Sequence, residues 1–460
     1  MSTSMGRPSL TRLAARRALE IGRSDPDAAT LRKATVCLRD FAGCCLAALS
    51  GDTGRSVLAL ARTRAGLPEA SHFGLPGRVS AEVAALGNGM LGHALIREDM
   101  HVASGAHAGV VILPAMLALA QRERLSGRAL LRGIAAGYHL MTALGQAVRT
   151  GLAHRHFRPL GISGPFGAAA GAIAATLPDE DRAVHALGFA ANLGAGLNEW
   201  PWCGAEDIVV HAGMAARNGL AAIDLARAGL RSSDSILEGR SGLFAAQGSG
   251  ADAAAVFERL LAASGGLLEV RHKPVAGCNN TQTAIAAALG LRARLGEAAV
   301  RDAARVTIHT FGTARSYPGC DWAGPFASTQ QSKMSFQYGV CAALLWGEPS
   351  EQTYARFDDP SLARLLSVCE VRLDPAYEGI APRAQPARVE LRTADGHSHV
   401  AALDDVPWLD EDGAVARYRV QARQHADEAA VREVDALLDA LWDAPDASPT
   451  IEALFALSEA

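Results

Sequence analysis

Residues 161–175 read GISGPFGAAAGAIAA, with no charge and with glycine or alanine at most positions. Side chains this small bury little area by themselves, so the stretch makes sense only as a helix whose backbone lies close against others. The flanking segments repeat the theme. Leu31 to Leu49 carries apolar residues at helical spacing and stops at Ser50-Gly51-Asp52, and Ala81 to Leu95 is rich in alanine and glycine. Val110 to Arg122 is almost wholly apolar, with Pro114 near its first turn, where proline is tolerated. Ser126-Gly127 opens Arg128 to Val148, and Asp179 to Leu193 and His211 to Ala228 follow. From about Pro8 to Leu260 the chain reads as an all-α domain with tight interhelical contacts.

The pattern changes near Gly265. Leu268 to Arg271, Arg305 to Thr310, Val371 to Leu373 and Arg388 to Arg392 alternate as strands do, and Ala394-Asp395-Gly396 is a hairpin turn leading to Ser398 to Val400. Helical stretches, Thr281 to Leu295 and Ser335 to Leu345, fall between them. After about Asp404 the chain turns helical again, with Glu428 to Trp442 expected to pack back on the first domain. The expected fold is mainly α: a large all-α helical domain (residues 1–265 plus 405–460) with an inserted smaller α/β, or α+β, lid domain with a short antiparallel sheet (residues 266–404). A cleft between two such parts is a favoured ligand site.

Composition narrows the function. In 460 residues, 49% are apolar, enough for a sizeable core, and a net charge of −4 gives no strong field for nucleic acid or an anionic membrane. Apolar stretches such as Ala108 to Ala120 are too short and too small-sided to span a bilayer. Met1 to Leu10 has no long apolar core, so no secretory signal is expected and the protein reads as cytoplasmic. The eight cysteines form no C-x-x-C pair, so a zinc ribbon is unsupported and reduced, buried thiols are expected. Of 44 basic residues only three are lysine: Lys33, Lys273 and Lys333. Lysine can lose its proton when buried whereas arginine effectively cannot, so a lysine in such a chain can mark a place that needs its chemistry. For Lys33 the plainer reading, chance survival, is preferred.

The order of several short motifs resembles the MmgE/PrpD family along nearly the whole chain. The segments are Ala84 to Gly89 with Gly92-His93-Ala94-Leu95, His107-Ala108-Gly109 with Leu113-Pro114-Ala115, Ala135 to Tyr138, Phe157-Arg158-Pro159 with Phe166-Gly167, His211 to Ala216, Leu237 to Gly242, Lys273-Pro274-Val275 with Cys278, and Ser335 to Tyr338. Each is weak alone; their common order is the signal. The resemblance implies a helical domain plus an α/β lid, usually a homodimer, needing no metal or organic cofactor. Its members dehydrate 2-methylcitrate, decarboxylate cis-aconitate or epimerise iminodisuccinate, and share proton movement next to a carboxylate.

Such chemistry needs a base at carbon, groups that hold carboxylate and enediolate charge, and exclusion of water. His107, in the small-sided run Ser104 to Gly109 just before a helix, is the first candidate for acid/base work; a loop histidine capping a helix is the structural alternative. His101 lies close by and is a weaker candidate. Lys273, at the domain junction, is the second, able to bind a carboxylate or to act as a base if desolvated, against the alternative of a surface lysine. Both match active-site residues of the family. Tyr338 matches a site tyrosine of decarboxylase-like members, or is a core aromatic. Cys278 is given no catalytic role, and Lys333 only a weak claim to the cleft.

The departures from the family bear on the substrate. Its acidic stretch reads Ile96-Arg97-Glu98-Asp99-Met100 here, with Ile96 and Met100 replacing polar residues; a histidine has become Arg158, and a lysine Ile208. Arg97 and Arg158 can hold a carboxylate, and His154 and His156 can supply a displaced imidazole. Trp200 and Trp202, flanking Pro201, either make the pocket more apolar or pack a turn. The substrate is then smaller or less charged than a tricarboxylate, or bound differently. The expected function is a cofactor-free lyase, a dehydratase or decarboxylase acting on a small carboxylate, with His107, Lys273 and Tyr338 catalytic and Arg97, His101, His156 and Arg158 binding substrate. The alternatives are an epimerase of an iminodisuccinate-like dicarboxylate, a repurposed cyclase, or a scaffold that has lost the activity. No metal, nucleic-acid or membrane partner is expected.

Overall fold

The computed structural model describes residues 8–248 and 250–459. The start of the chain, on which the absence of a signal was judged, lies mostly outside them. The helical body is built as the sequence suggests. Ala28–Ala48, Ala81–His93, Gly109–Glu123, Gly127–His154, Pro159–Thr176 and Asp207–Arg227 are its principal helices. Their starts follow ordinary capping chemistry: the side chains of Asp27, Ser80 and Ser126 each accept a backbone N–H from the first turn. Gly109–Glu123 starts slightly earlier than the sequence suggests and runs on through Pro114.

Glycine sets the spacing of the body. A Cβ on Gly133 would stand 2.9 Å from the Gly171 carbonyl oxygen, and one on Gly171 would stand 2.8 Å from that of Gly133. Gly137 and Gly167, one turn along, face each other in the same way. This pairs the Gly127–His154 and Pro159–Thr176 helices backbone to backbone, which explains the small-sided run at 161–175. A second crossing seats Gly213 so tightly that its Cβ would meet the Leu86 carbonyl oxygen at 2.2 Å.

The smaller part carries a four-stranded sheet in the order Cys369–Leu373, Arg305–Thr310, Ala387–Arg392, Ser398–Leu403. The first pair is parallel and the other two are antiparallel. The sheet is therefore mixed rather than antiparallel as expected. The chain from Arg305–Thr310 to Cys369–Leu373 passes through several helices, a crossover long enough to return it in the same direction. Gln282–Arg301 and Phe336–Trp346 pack against each other beside it. Leu268 to Arg271 is a turn rather than a strand; Arg271 and His272 instead make isolated bridges, to Met100 and to Leu409. The chain after the sheet returns to the helical body, where Glu411–Ala422 packs on Ala28–Ala48. Among the described residues no single helix is long and apolar enough to cross a membrane.

Because the displaced group at Gly213 is main chain, Gly213→Ala is expected to lower stability by about 1–3 kcal/mol. A fall in the urea midpoint at unchanged m-value would show it.

Candidate active site

Three consecutive carbonyls that follow the Ala81–His93 helix are taken by groups from the smaller part. Lys333 Nζ donates to Ala94 O at 3.0 Å, the Gly277 N–H to Leu95 O at 3.1 Å, and Lys273 Nζ to Ile96 O. Ile96 has φ +52°, a left-handed conformation that a β-branched residue rarely adopts. The turn it makes delivers Glu98 and Asp99 into the protein, where both are buried. Asp99 accepts the Gly109 N–H at 2.9 Å and the Tyr138 hydroxyl at 2.7 Å, pinning the start of the next helix and hence His107. Gly109 must be glycine, since a Cβ there would lie 2.5 Å from Asp99 Oδ1.

Glu98 is the centre of the site. His93 Nδ1 lies 2.6 Å and His107 Nδ1 2.7 Å from the same Oε1, and the two rings sit 4.9 Å apart. Arg158 donates to His93 Nε2 at 3.2 Å and to the Tyr317 hydroxyl at 3.2 Å, and its guanidinium lies over the Trp200 ring. Arg158 Nε and Glu98 Oε2 are among the buried polar atoms here that make no hydrogen bond. Buried polar atoms are seldom left unpaired, and where they are, a ligand is a natural explanation.

The charges are mutually adjusted. Burial alone would raise the Glu98 carboxyl, but His93, Lys273 and His107 hold it well below the usual range. Burial, then the neighbouring Lys273 charge, pushes the His107 imidazole down to about 3. Burial likewise lowers His93 and Lys273. His211, beside Arg158 and His93, is pushed down to about 4, by burial first. The site sets one carboxylate against the His93 and His107 imidazoles, with Lys273 and Arg158 beside them.

His93, Glu98 and His107 offer donor atoms within 4.8 Å of one another, a set that can in principle hold a divalent cation. The chemistry of the neighbours favours hydrogen bonding instead. Arg158 has only donors, so it makes His93 Nε2 the acceptor and leaves that ring's proton on Nδ1, facing Glu98. A metal on Nδ1 would move the proton to Nε2, against the guanidinium. His107 Nδ1 faces the same Glu98 oxygen at 2.7 Å, and its Nε2 makes no hydrogen bond among the described residues.

Residues 13–256 match the MmgE/PrpD N-terminal domain, and residues 276–407 the MmgE/PrpD C-terminal domain. The chain belongs to the MmgE/PrpD family. Members of the MmgE/PrpD family are generally enzymes, of dehydratase, lyase or related type.

Of the residues singled out from the sequence, His107, Lys273 and Arg158 come together at Glu98. The others do not. Tyr338 is a correction: its hydroxyl donates to Thr353 O at 2.7 Å and its ring stacks on Tyr354, so it is a core aromatic of the smaller part. His156 is exposed, at φ +58°, and makes no contact with the cluster. His101 is held by Ser104 and Glu269, both at 2.9 Å. Arg97 donates to Gly43 O at 3.3 Å rather than to any group of the cluster. The His154 side chain lies outside the described residues. Trp200 and Trp202 divide the two roles weighed for them: Trp200 is buried beneath Arg158, and Trp202 is 61% exposed.

Sequence reasoning missed His93, Glu98, His211 and Tyr317. Two signals were in view: His93 and His211 stand inside motifs already noted, and Glu98 and Asp99 close a stretch otherwise almost without acids. Lys33 was missed too. It is buried, with Nζ 3.0 Å from His272 Nε2; His272 Nδ1 lies 2.8 Å from Asp40, and Asp40 pairs with Arg417 at 2.5 Å. Arg417 in turn donates to the Lys273 carbonyl, so this buried chain positions the Lys273 backbone.

Tyr338→Phe is expected to cost about 1 kcal/mol of stability and to leave kcat/KM within about twofold. Glu98→Gln, which keeps an acceptor oxygen but removes the negative charge that supports a protonated imidazole, is expected to cost about a hundredfold or more in kcat. Parallel unfolding and activity measurements on the two variants check this contrast.

Proposed function

We propose that this protein is a lyase that moves a proton at the carbon next to a carboxylate, with Glu98, His107, Lys273 and Arg158 as its working groups. The observation that supports this best is the His107 imidazole set against the Glu98 carboxylate, with the buried Lys273 and Arg158 side chains beside them. The substrate carboxylate pairs with the free Nε–H of Arg158 and with the Tyr317 hydroxyl, and His107 Nε2 takes the proton from the neighbouring carbon. Arg158 and Lys273 hold the enediolate charge that develops. In a dehydration the C–O bond then breaks and the hydroxyl leaves as water with the Lys273 proton. At rest the depressed His107 is a weak base. The bound anion offsets the Lys273 and Arg158 charges and strengthens it.

A second reading, epimerisation, is favoured by one feature: Lys273 and His107 come from different parts of the fold, as two bases on opposite faces of one carbon must. Turnover in heavy water separates the two. The lyase reading expects a product changed in mass by water or CO2. Deuterium entering a substrate of unchanged composition, with inversion, would establish the epimerase instead. In either case Lys273→Ala and His107→Ala are each expected to lower kcat/KM by about a hundredfold or more.

The pH profile carries a further sign. The active form has His107 neutral and Lys273 charged. Since His107 is pushed down to about 3, the acid limb of kcat/KM is expected below the ordinary imidazole value of 6.5. Lys273 is lowered, so the alkaline limb is expected below 10.5. Removing the lysine charge in Lys273→Met is expected to move the His107 ring titration upward, which NMR of the imidazole reads directly. A downward movement would contradict the arrangement.

A further inference from the structure

Beside the Arg158–Tyr317 contact lies a cavity of about 190 Å³, between the loop at Pro201 and Trp202 and the loop from Arg315 to Trp322. Two features join it to the site. Tyr317 lines the cavity and also receives the Arg158 hydrogen bond. The strip Trp200-Pro201-Trp202 puts one indole beneath the Arg158 guanidinium and the next at the cavity.

The lining is mostly apolar where it is free, with Ser316, Gln331 and an Arg315–Asp321 pair at its polar side. Trp202 and Trp322 are 61% and 43% exposed. The Trp322 indole N–H is already used by Pro325 O at 3.1 Å, so the ring itself is what it offers. Arg315, the one cation of the lining, is tied to Asp321 at 2.7 Å, and the other Asp321 oxygen accepts from Gln337 at 2.7 Å. A second substrate carboxylate would therefore meet two indoles, a proline and a cation whose charge Asp321 already offsets, so desolvating it there would be unfavourable. A volume below the roughly 300 Å³ at the lower end of ordinary ligand pockets suits one short arm of a molecule.

We propose that this cavity receives an apolar arm of the substrate, which makes the substrate a monocarboxylate with one short apolar or aromatic arm instead of a di- or tricarboxylate. The inference rests on the reading above that Arg158 holds the reacting carboxylate. The arm runs outward past Tyr317 to lie between Trp202 and Trp322, whose rings supply flat apolar area at little entropic cost.

The test is calorimetric titration of the intact protein with propionate, 3-phenylpropionate and succinate. 3-Phenylpropionate is expected to bind about tenfold or more tightly than propionate, and succinate no more tightly than propionate. In Trp202→Ala and in Trp322→Ala the affinities for propionate and 3-phenylpropionate are expected to converge. In Arg158→Gln both acids are expected to be lost. If succinate binds more tightly than 3-phenylpropionate, or if the phenyl group adds nothing while Arg158→Gln still abolishes binding, the apolar-arm assignment is overturned and the carboxylate reading stands. A Trp202→Ala that alters sedimentation but not the affinities makes the patch a contact between copies of this chain and overturns the assignment as well. If no acid binds, or if Arg158→Gln changes nothing, the underlying carboxylate reading falls and takes the inference with it.

Discussion

Three carbonyls in a row, those of Ala94, Leu95 and Ile96, carry the contact between the helical body and the smaller part, and the site depends on them. A helix end leaves such acceptors unpaired. Here they are satisfied by two buried lysines and one backbone N–H that arrive from residues 273, 277 and 333. The same contacts hold Ile96 in a left-handed conformation, and that turn aims Glu98 at His93 and His107. Docking the two parts and assembling the reactive group are one event. Lys273 serves both ends of it, as tether to Ile96 and as neighbouring charge to His107.

The polar interior is tolerable because it is nearly closed in charge. An unpaired buried charge is costly, whereas a paired and hydrogen-bonded one is not. Glu98 offsets part of the positive charge around it, and Asp40 faces Arg417 and His272 on the far side of Lys273. The two clusters meet at residue 273, whose side chain belongs to the first and whose carbonyl is held by the second. Arg417, from the C-terminal helices, thus reaches the site through the backbone. Arg158 Nε and Glu98 Oε2 are among the buried polar atoms that make no hydrogen bond.

All three lysines are buried and each is used. Lys33 closes the chain through His272 to Asp40, and Lys333 pairs with Glu351 at 2.6 Å while gripping Ala94. Many arginines pair with carboxylates at the surface, whereas Arg39 and Arg158 are buried. In a chain that has replaced lysine almost everywhere, a compact single-point cation was retained where a narrow buried carbonyl or imidazole must be reached.

Sequence by itself determined the mainly helical fold with a small strand-bearing part, and the family. Helical periodicity, caps and small-residue runs are local features, and the pairing of Gly133 with Gly171 is foreshadowed by the composition of 161–175. It also pointed to His107, Lys273 and Arg158, because small neighbours, rarity and motif order mark them. Only the tertiary structure decided which polar residues meet. Tyr338 and His156 carry the right chemistry, but their side chains are committed to the core or to solvent. Glu98 stands in a stretch notable for its lost polar residues, and its importance comes from the left-handed turn at Ile96 that sets it against His93 and His107. The strand expected at Leu268 to Arg271 became a pair of bridges. Alternation along a chain is a local property, whereas a partner for its hydrogen bonds is supplied, or withheld, by packing.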